Sequence, residues 1–587
     1  MQQATIVSRL LLLMAVLAGL RAGQAHCQGF LSRQGEQIVD AQGREVIFRG
    51  IGLGGWMLQE PYMLHLSGVA ANQTQIRARI QDLVGTSKME AFYSAWRQQF
   101  MTRVDIDSLA SWGFNSIRVP LHYNLFSQGG PGWSLLDSLL GWCRADHIYL
   151  ILDVHAAPGG QGNDIPIADR DKSAPSLWQS PADQAQFVLL WRRLAERYAN
   201  EPWIGGYDLL NETNWGFSDS TDTHGCAESL NAPLRSLLIR ATDTIRSVDR
   251  SHLLFVEGNC WANNFRGLLP VWDSNMALSF HKYWNYNDQG SVQGVINLRT
   301  QYQIPLWLGE SGENSNTWTT DAIALAERNH ISWTWWPLKK AGLNNPLEFP
   351  LPPHWKDLID YWAGRGARPS ASEAWETLMQ LVSSASAAHN VYHRDVIDAM
   401  FRQVHSLDVL PYWAVVLRPG TRLYAVNYDL GRNGFAYYDM DTANYRVSTG
   451  HNSAGNRGGF YRNDGVDITQ CEDTSSLGYS VMDIEAGEWM QYTVSVPDSR
   501  LYTISYRVSG APEDVPTNVA VNVAYKAVAP SWELLDGATS LDSCRLSVLS
   551  SGWVSEGNTR VYLTAGVHHL RFKADAPGFR LNYILFR

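Results

Sequence analysis

Between residues 45 and 385, short apolar runs alternate with longer stretches whose apolar positions recur every three or four residues. That alternation is the signature of strand–helix units on a parallel sheet. Eight runs read as strands: 46–49, 116–120, 149–154, 206–211, 253–257, 277–281, 306–309 and 331–336. Eight such units predict an α/β fold closed as a (β/α)8 barrel of the TIM type. The clearest helix opens at Ser180 and Pro181 and sets Phe187, Leu190, Trp191, Leu194 and Tyr198 on one face. An open doubly wound sheet is the alternative, but no glycine-rich phosphate turn follows any strand. Ala/Ser-rich sequence over 370–388 predicts the closing helix, and 389–409 reads as a connector. From 410 to 587 the helical period gives way to short alternating strands, 491–496, 501–508 and 568–572 among them, which predict an all-β sandwich, or jelly roll.

Composition narrows the function. The 47 Lys and Arg are outnumbered by 57 Asp and Glu, a net charge of -10, with no basic cluster, so nucleic acid is not an expected partner. With 45% hydrophobic and 18% charged residues the chain has the composition of a folded protein. Trp is in excess, 24 beside 25 Tyr and 18 Phe. Flat aromatic faces suit sugar rings, and large cores use Trp equally. At the N-terminus, Arg9, an apolar run over 10–20 and small residues at Gly23 and Ala25 predict a signal peptide, 1–25. The run is too short to span a bilayer. We therefore expect a secreted, extracellular or periplasmic protein, monomeric and free of the membrane once the signal is removed. His26 before Cys27 does not fit a lipoprotein site. Among six cysteines, Cys226 with Cys260 and Cys471 with Cys544 are the expected pairs, and no zinc-ligand spacing occurs.

In such barrels the chemistry gathers at the C-terminal ends of the strands. Here those ends carry Arg118, His155, Asn211 with Glu212, His281 with Tyr283, Glu310 and Trp336. A single polar strand end often only caps a helix; the full set points to a site. Glu212 and Glu310 lie three strand–helix units apart, on opposite sides of one barrel mouth. Two carboxylates facing each other across a pocket are what cleavage of a glycosidic bond requires.

Four segments carry a family likeness: Tyr207-Asp208-Leu209-Leu210-Asn211-Glu212, Pro305-Leu306-Trp307-Leu308-Gly309-Glu310, Asp153-Val154-His155-Ala156-Ala157-Pro158-Gly159-Gly160-Gln161 and Ile117-Arg118-Val119-Pro120. Over about residues 40–385 the chain resembles glycoside hydrolase family 5. The resemblance implies a retaining double displacement with Glu212 as acid/base and Glu310 as nucleophile. It also implies that Asn211 binds the sugar 2-hydroxyl, that Tyr283 steadies the nucleophile, and that Arg118, His155 and His281 set the charge around the glutamates. The family's Asn-Glu-Pro is Asn211-Glu212-Thr213 here, formally a glycosylation sequon on a residue that must stay buried. We expect it to be unmodified.

The segment from Gly50 through Gly52, Gly54, Gly55 and Trp56 to Glu60 and Pro61 resembles the opening of the exo-acting β-1,3-glucanases of that family, in which the acid matching Glu60 closes the sugar pocket. A glycine-rich turn that merely admits the chain to the barrel is the other reading. The second pocket acid is either Asp164 or absent. Likeness to the family makes Trp336 the floor of the sugar site, and Trp336-Pro337 is expected cis, at a cost of about 0.5–1 kcal/mol for an X-Pro bond. Trp215, Trp261 and Trp284 follow other strand ends and either line leaving-group subsites or pack under loops. Glu257 and Glu313 read as hydrogen-bonding scaffold. The sandwich resembles carbohydrate-binding module family 6 through Tyr461-Arg462-Asn463-Asp464-Gly465-Val466-Asp467, Gly487-Glu488-Trp489-Met490-Gln491-Tyr492 and Gly566-Val567-His568-His569-Leu570-Arg571. Asp483 and Arg580 stand where that family has a stacking aromatic and an Asn, which leaves Trp553 as the candidate stacking residue. A sandwich that buttresses the barrel is the alternative.

Taken together, these features predict a β-glucosidic hydrolase acting on a β-1,3- or β-1,4-glucan polysaccharide. A non-catalytic carbohydrate-binding protein and a β-mannanase are the alternatives. No cofactor is expected, apart from structural calcium in the sandwich.

Overall fold

The computed structural model describes residues 29–440, 442, 455–510, 529–546 and 552–587; the expected signal segment lies outside them. Eight parallel strands close a barrel: β1 (Arg49–Gly52), β2 (Ser116–His122), β3 (Tyr149–Ala156), β4 (Ile204–Asp208), β5 (Leu254–Glu257), β6 (Met276–Lys282), β7 (Leu306–Gly312) and β8 (Ser332–Trp336), with β8 hydrogen-bonded to β1. Seven fall where the apolar runs predict. The first is displaced: the run 46–49 leads into the barrel, and the paired segment is the glycine-bearing Arg49–Gly52, in register with Trp333–Trp335. Glycine is required there because a Cβ on Gly50 would stand 2.5 Å from the Thr334 hydroxyl and 2.7 Å from that of Ser116.

The helix Pro181–Tyr198 forms as predicted, with the Ser180 hydroxyl accepting from the Asp183 backbone N–H and Phe187, Leu190, Trp191, Leu194 and Tyr198 buried. Much of the tryptophan excess belongs to the interior: Trp96, Trp191, Trp307, Trp318, Trp333, Trp335 and Trp355 are fully buried around the barrel. The helix Ala371–Ser384 closes the barrel behind a capping box formed by Ser370 and Glu373.

The expected connector 389–409 is folded structure rather than a linker. Val391–Tyr392 pairs antiparallel with Leu347–Glu348. The helices Arg394–Met400 and Arg402–His405 pack on the helix Asn316–Arg328, which follows β7. Beyond them, two antiparallel-rich sheets form the sandwich. One is built around Trp489–Val496, Gly566–Ala576 and Ser531–Asp536, the other around Phe579–Phe586, Arg500–Gly510 and Val554–Leu563. Trp532, Tyr506, Phe572 and Phe579 meet between them.

Cys226 and Cys260 form the expected disulfide. Cys471 and Cys544 do not pair; both are free thiols. Cys471 follows Ile468–Gln470 at an edge of one sheet, and Cys544 lies in Thr539–Arg545 at an edge of the other, so sharing the C-terminal third of the chain does not make them neighbours.

Candidate active site

The mouth of the barrel gathers Arg118, Asn211, Glu212, Glu257, His281, Tyr283 and Glu310. A carboxylate oxygen of Glu212 and one of Glu310 lie within 4.8 Å of each other, and a ring nitrogen of His281 falls within the same limit. Both glutamates are 6% exposed, which keeps them in contact with the opening yet largely shielded from water. Local structure places them there. In β7 an extra residue at Gly309 shifts the pairing with β6, so that Leu308 faces Phe280 and Glu310 faces His281. A bulge of this kind re-aims the side chain that follows it. Glu212 follows β4 with φ of 38°, in the left-handed region. Its backbone is held by an N–H donated to Glu257 (2.6 Å) and a carbonyl that accepts from the Asn214 amide (2.9 Å).

Arg118 is the hub beneath the pair. Its Nε donates to Asp208 (3.0 Å), Nη1 to Glu310 Oε2 (2.7 Å), and Nη2 to Asn211 Oδ1 (2.7 Å) and Glu257 (3.0 Å), with Asp153 3.2 Å away. Burial opposes the guanidinium charge, and Asp153, Asp208, Glu257 and Glu310 together outweigh it. One cation cannot balance four carboxylates. Burial, reinforced by Glu257, accordingly raises the Asp208 carboxyl well above its ordinary range.

The two glutamates have different surroundings. Glu310 receives a second donor, the Tyr283 hydroxyl, at 2.8 Å from Oε1. Burial and the charge of Glu310 raise Tyr283 well above the usual phenol range, so it stays protonated and donates. Glu212 instead faces His281, whose Nδ1 lies 2.6 Å from Oε1. Burial raises the Glu212 carboxyl, His281 pulls it down, and Glu310 adds to the rise; the net direction is upward. Burial would discharge His281, but Glu257, Glu310 and Glu212 reverse that and keep it an imidazolium. Glu257 resists its own burial through His281, Arg118 and the Glu212 N–H, and is held at about 2.

Arg118, His155 and His281 are all buried among the carboxylates they contact. His155 Nδ1 donates to Asp153 (2.6 Å), its Nε2 accepts from the Asn211 amide (3.2 Å), and its ring lies parallel to Trp336, with centroids 5.3 Å apart. Asn211 is fully buried, which leaves no room for a glycan at the sequon. The Trp336–Pro337 bond is cis as expected; Leu269–Pro270 is also cis, without a signal in the sequence. Trp336 Nε1 donates to the Tyr62 hydroxyl (3.0 Å). Glu60 joins this end of the site. Burial raises its carboxyl well above the ordinary range, and Glu310, Glu313, Glu212 and Asp164 push the same way. Glu313 is ion-paired with Lys340, whose Nζ stands 5.4 Å over the Tyr62 ring.

After β5, the Trp261 backbone N–H donates to Thr213 O (3.2 Å), its indole N–H to Asp164 (3.3 Å), and its ring stacks on His224. Trp215 packs under the Arg170 guanidinium (4.8 Å), and Trp284 is 44% exposed. In the sandwich, Trp553 is half-buried with the Arg580 guanidinium 5.2 Å above its ring.

Sequence reasoning missed Asp153, Asp208, Gln161, Tyr62 and Lys340. Gln161 ties two strand ends together, donating to the carbonyls of His155 (2.7 Å) and Asn211 (2.9 Å). Asp153 stands two residues before His155 and Asp208 three before Asn211, each a lone carboxylate in an apolar strand. That pattern was the available signal.

This arrangement of paired glutamates on a (β/α)8 barrel has relatives. Residues 71–342 match the family model of cellulase (glycosyl hydrolase family 5), and residues 460–587 that of the carbohydrate binding module (family 6). The barrel belongs to glycosyl hydrolase family 5, the sandwich is a family 6 carbohydrate-binding module, and the chain is a glycoside hydrolase. Among curated proteins it is 28% identical over 443 residues to a beta-xylosidase of Phanerodontia chrysosporium, covering 67% of this chain and 87% of that protein. It is also 28% identical over 206 residues to endoglucanase C of Acetivibrio thermocellus, 34% of this chain and 54% of the enzyme. A probable glucan 1,3-beta-glucosidase A of Aspergillus clavatus matches at 28% over 179 residues, 29% of this chain and 41% of that protein. The chain thus spans about half the length of the two glucan-active relatives.

Proposed function

We propose that this glycoside hydrolase cleaves β-glucosidic bonds of a β-glucan with retention of configuration, Glu310 as nucleophile and Glu212 as acid/base. The observation that carries the reading is the short separation of the two carboxylates, within 4.8 Å between oxygens. Retaining enzymes hold the pair at about 5–5.5 Å, and inverting ones at about 6.5–9.5 Å to admit a water. The division of roles follows from the surroundings. Glu310 accepts from Arg118 and Tyr283, which favour the charged carboxylate a nucleophile must be. Burial favours the protonated Glu212.

In the first half-reaction a Glu310 oxygen bonds to the anomeric carbon while Glu212 passes its proton to the departing glycosidic oxygen. In the second, the Glu212 carboxylate takes a proton from water. The water oxygen then displaces Glu310, restoring both side chains. Trp336 forms the floor beneath the reacting sugar. Glu60, Tyr62 and the Glu313–Lys340 pair wall off its non-reducing end, which favours release of single sugars.

Residues 1–25 and the Cys226–Cys260 disulfide support an extracellular or periplasmic location, since disulfides persist in oxidising compartments. Among the described residues no helix is long and apolar enough to cross a membrane. The test is proton NMR of the first sugar released from a β-1,3- and a β-1,4-glucan, with Glu310→Ala as blank. A β-anomer, as glucose alone, is expected. An α-anomer refutes retention, a ladder of oligosaccharides refutes the closed pocket, and inertness toward both polymers refutes the glucan assignment.

A further inference from the structure

The family 6 module is joined to the barrel by a buried polar seam that reaches the turn after β7. The Asn463 amide donates to Asn314 O (2.8 Å) and lies 3.2 Å from Asn316 Oδ1, while the Asn316 backbone N–H donates to Asn463 O (2.9 Å). Asn316 Nδ2 donates both to Asp464 of the module (2.9 Å) and to Asp395 (2.8 Å), and Asp395 also accepts the Asn463 N–H (2.9 Å). Asp464 is held in turn by the Arg462 guanidinium at 2.6 and 2.9 Å. Asn314, Asn316, Asp395, Arg462, Asn463 and Asp464 are all buried. Donors and acceptors of both domains are buried here and paired with one another, and removing one partner while the other stays buried costs about 1–3 kcal/mol.

The seam is one residue from the site. Glu313, directly before Asn314, adopts φ of 53° and pairs with Lys340; burial, reinforced by Glu313, raises the Tyr62 phenol, which accepts the Trp336 indole N–H. Asn463 thus fixes the turn that presents Glu313, and Glu313 fixes the wall at the non-reducing end of the pocket. We propose that the module is a built-in wall of the catalytic site, with Asn463 a positioning residue that acts through Glu313 on the sugar subsite at Trp336. The proposal rests on the reading of that pocket as the sugar site and assigns the module a role besides binding polysaccharide.

The experiment is a double-mutant cycle in the full chain on a soluble nitrophenyl β-glucoside, too small to need a polysaccharide-binding module. The cycle comprises wild type, Asn463→Ala, Glu313→Gln and the double variant. Wild-type turnover, absent in Glu310→Ala, is established first, and its absence would count against the functional reading alone. We expect each single variant to lose about tenfold in kcat/KM, mostly through KM, as for a slightly misplaced binding wall. The double variant should be no worse than the poorer single. A folded Asn463→Ala with kcat/KM within twofold of wild type, or losses that multiply, would overturn the proposal. Hydrogen exchange on the wild type needs no variant. The Asn316 amide should exchange as slowly as the amides of β7, and exchange at surface-loop rates would overturn it equally.

Discussion

Placing a single methyl group on Gly52 should damage the sugar site without touching either glutamate. Gly52 ends β1, and an ideal Cβ there stands 2.5 Å from Trp336 Cε3 and 3.1 Å from Cζ3, where ordinary contact begins at 3.4 Å. The indole must move by about 1 Å, and it has no slack: its ring lies parallel to His155 and its N–H is committed to Tyr62. A displacement of about 1 Å in a positioning group can cost about 100-fold in rate, equivalent to about 2.7 kcal/mol of transition-state stabilisation. Overpacking a filled interior adds a stability loss of about 1–3 kcal/mol. Gly52→Ala should therefore lower kcat/KM on a nitrophenyl β-glucoside by about 100-fold and lower Tm. Gly54→Ala should do the same, since its Cβ would stand 2.6 Å from the same ring. Gly68→Ala, with nothing within 4 Å, is the control. Kinetics within threefold of wild type for Gly52→Ala would refute the view that these glycines exist to seat Trp336.

Tyr283→Phe removes the hydroxyl that donates to Glu310. A hydrogen bond to a charged acceptor contributes about 1.5–3 kcal/mol, so kcat should fall about 10- to 100-fold with Tm little changed, read by steady-state kinetics and thermal melting. Glu212 must be protonated to act as acid, and its raised pKa keeps it so above the ordinary glutamate range; kcat/KM is then retained at lower pH and lost as pH rises through that value. Because the His281 imidazolium holds this pKa down, His281→Gln should move the basic limb of the kcat/KM profile upward, and a downward move would contradict the assignment. Gly141 lies exposed inside the helix Gly132–Ala145 with nothing within 4 Å of its would-be Cβ. Gly141→Ala should stabilise the protein by about 0.5–1 kcal/mol in denaturant titration, through helix propensity alone.

Strand ends were legible because a buried strand is a nearly unbroken apolar run, and a charged residue at its end stands out; Glu212, His281 and Glu310 were found in this way. The carboxylates that support them were harder to see. Asp153 and Asp208 sit inside apolar runs, and only closure of the barrel brings both onto Arg118. The displacement of β1 has a similar origin: Gly50 and Gly52 carry no strand propensity, and close approach to β8 selects them. In the glycine-rich segment, Gly52 and Gly54 make room for the Trp336 indole. The seam between barrel and module left no apolar period to read. It consists of Asn, Asp and Arg side chains buried on one another, a composition that in sequence reads as a loop.

The account rests on Glu310 forming a covalent bond to the sugar, and mass spectrometry tests that most directly. Glu212→Ala is mixed with a dinitrophenyl β-glucoside, whose leaving group needs no acid; release of the enzyme-bound sugar, which needs the Glu212 base, is slow in this variant. After an acid quench and peptic digestion, the peptide containing Glu310 should carry the mass of one hexose, and Glu310→Ala should carry none. An unmodified Glu310 peptide during turnover, or a hexose on another residue, would contradict the assignment of Glu310 as nucleophile and with it the double displacement.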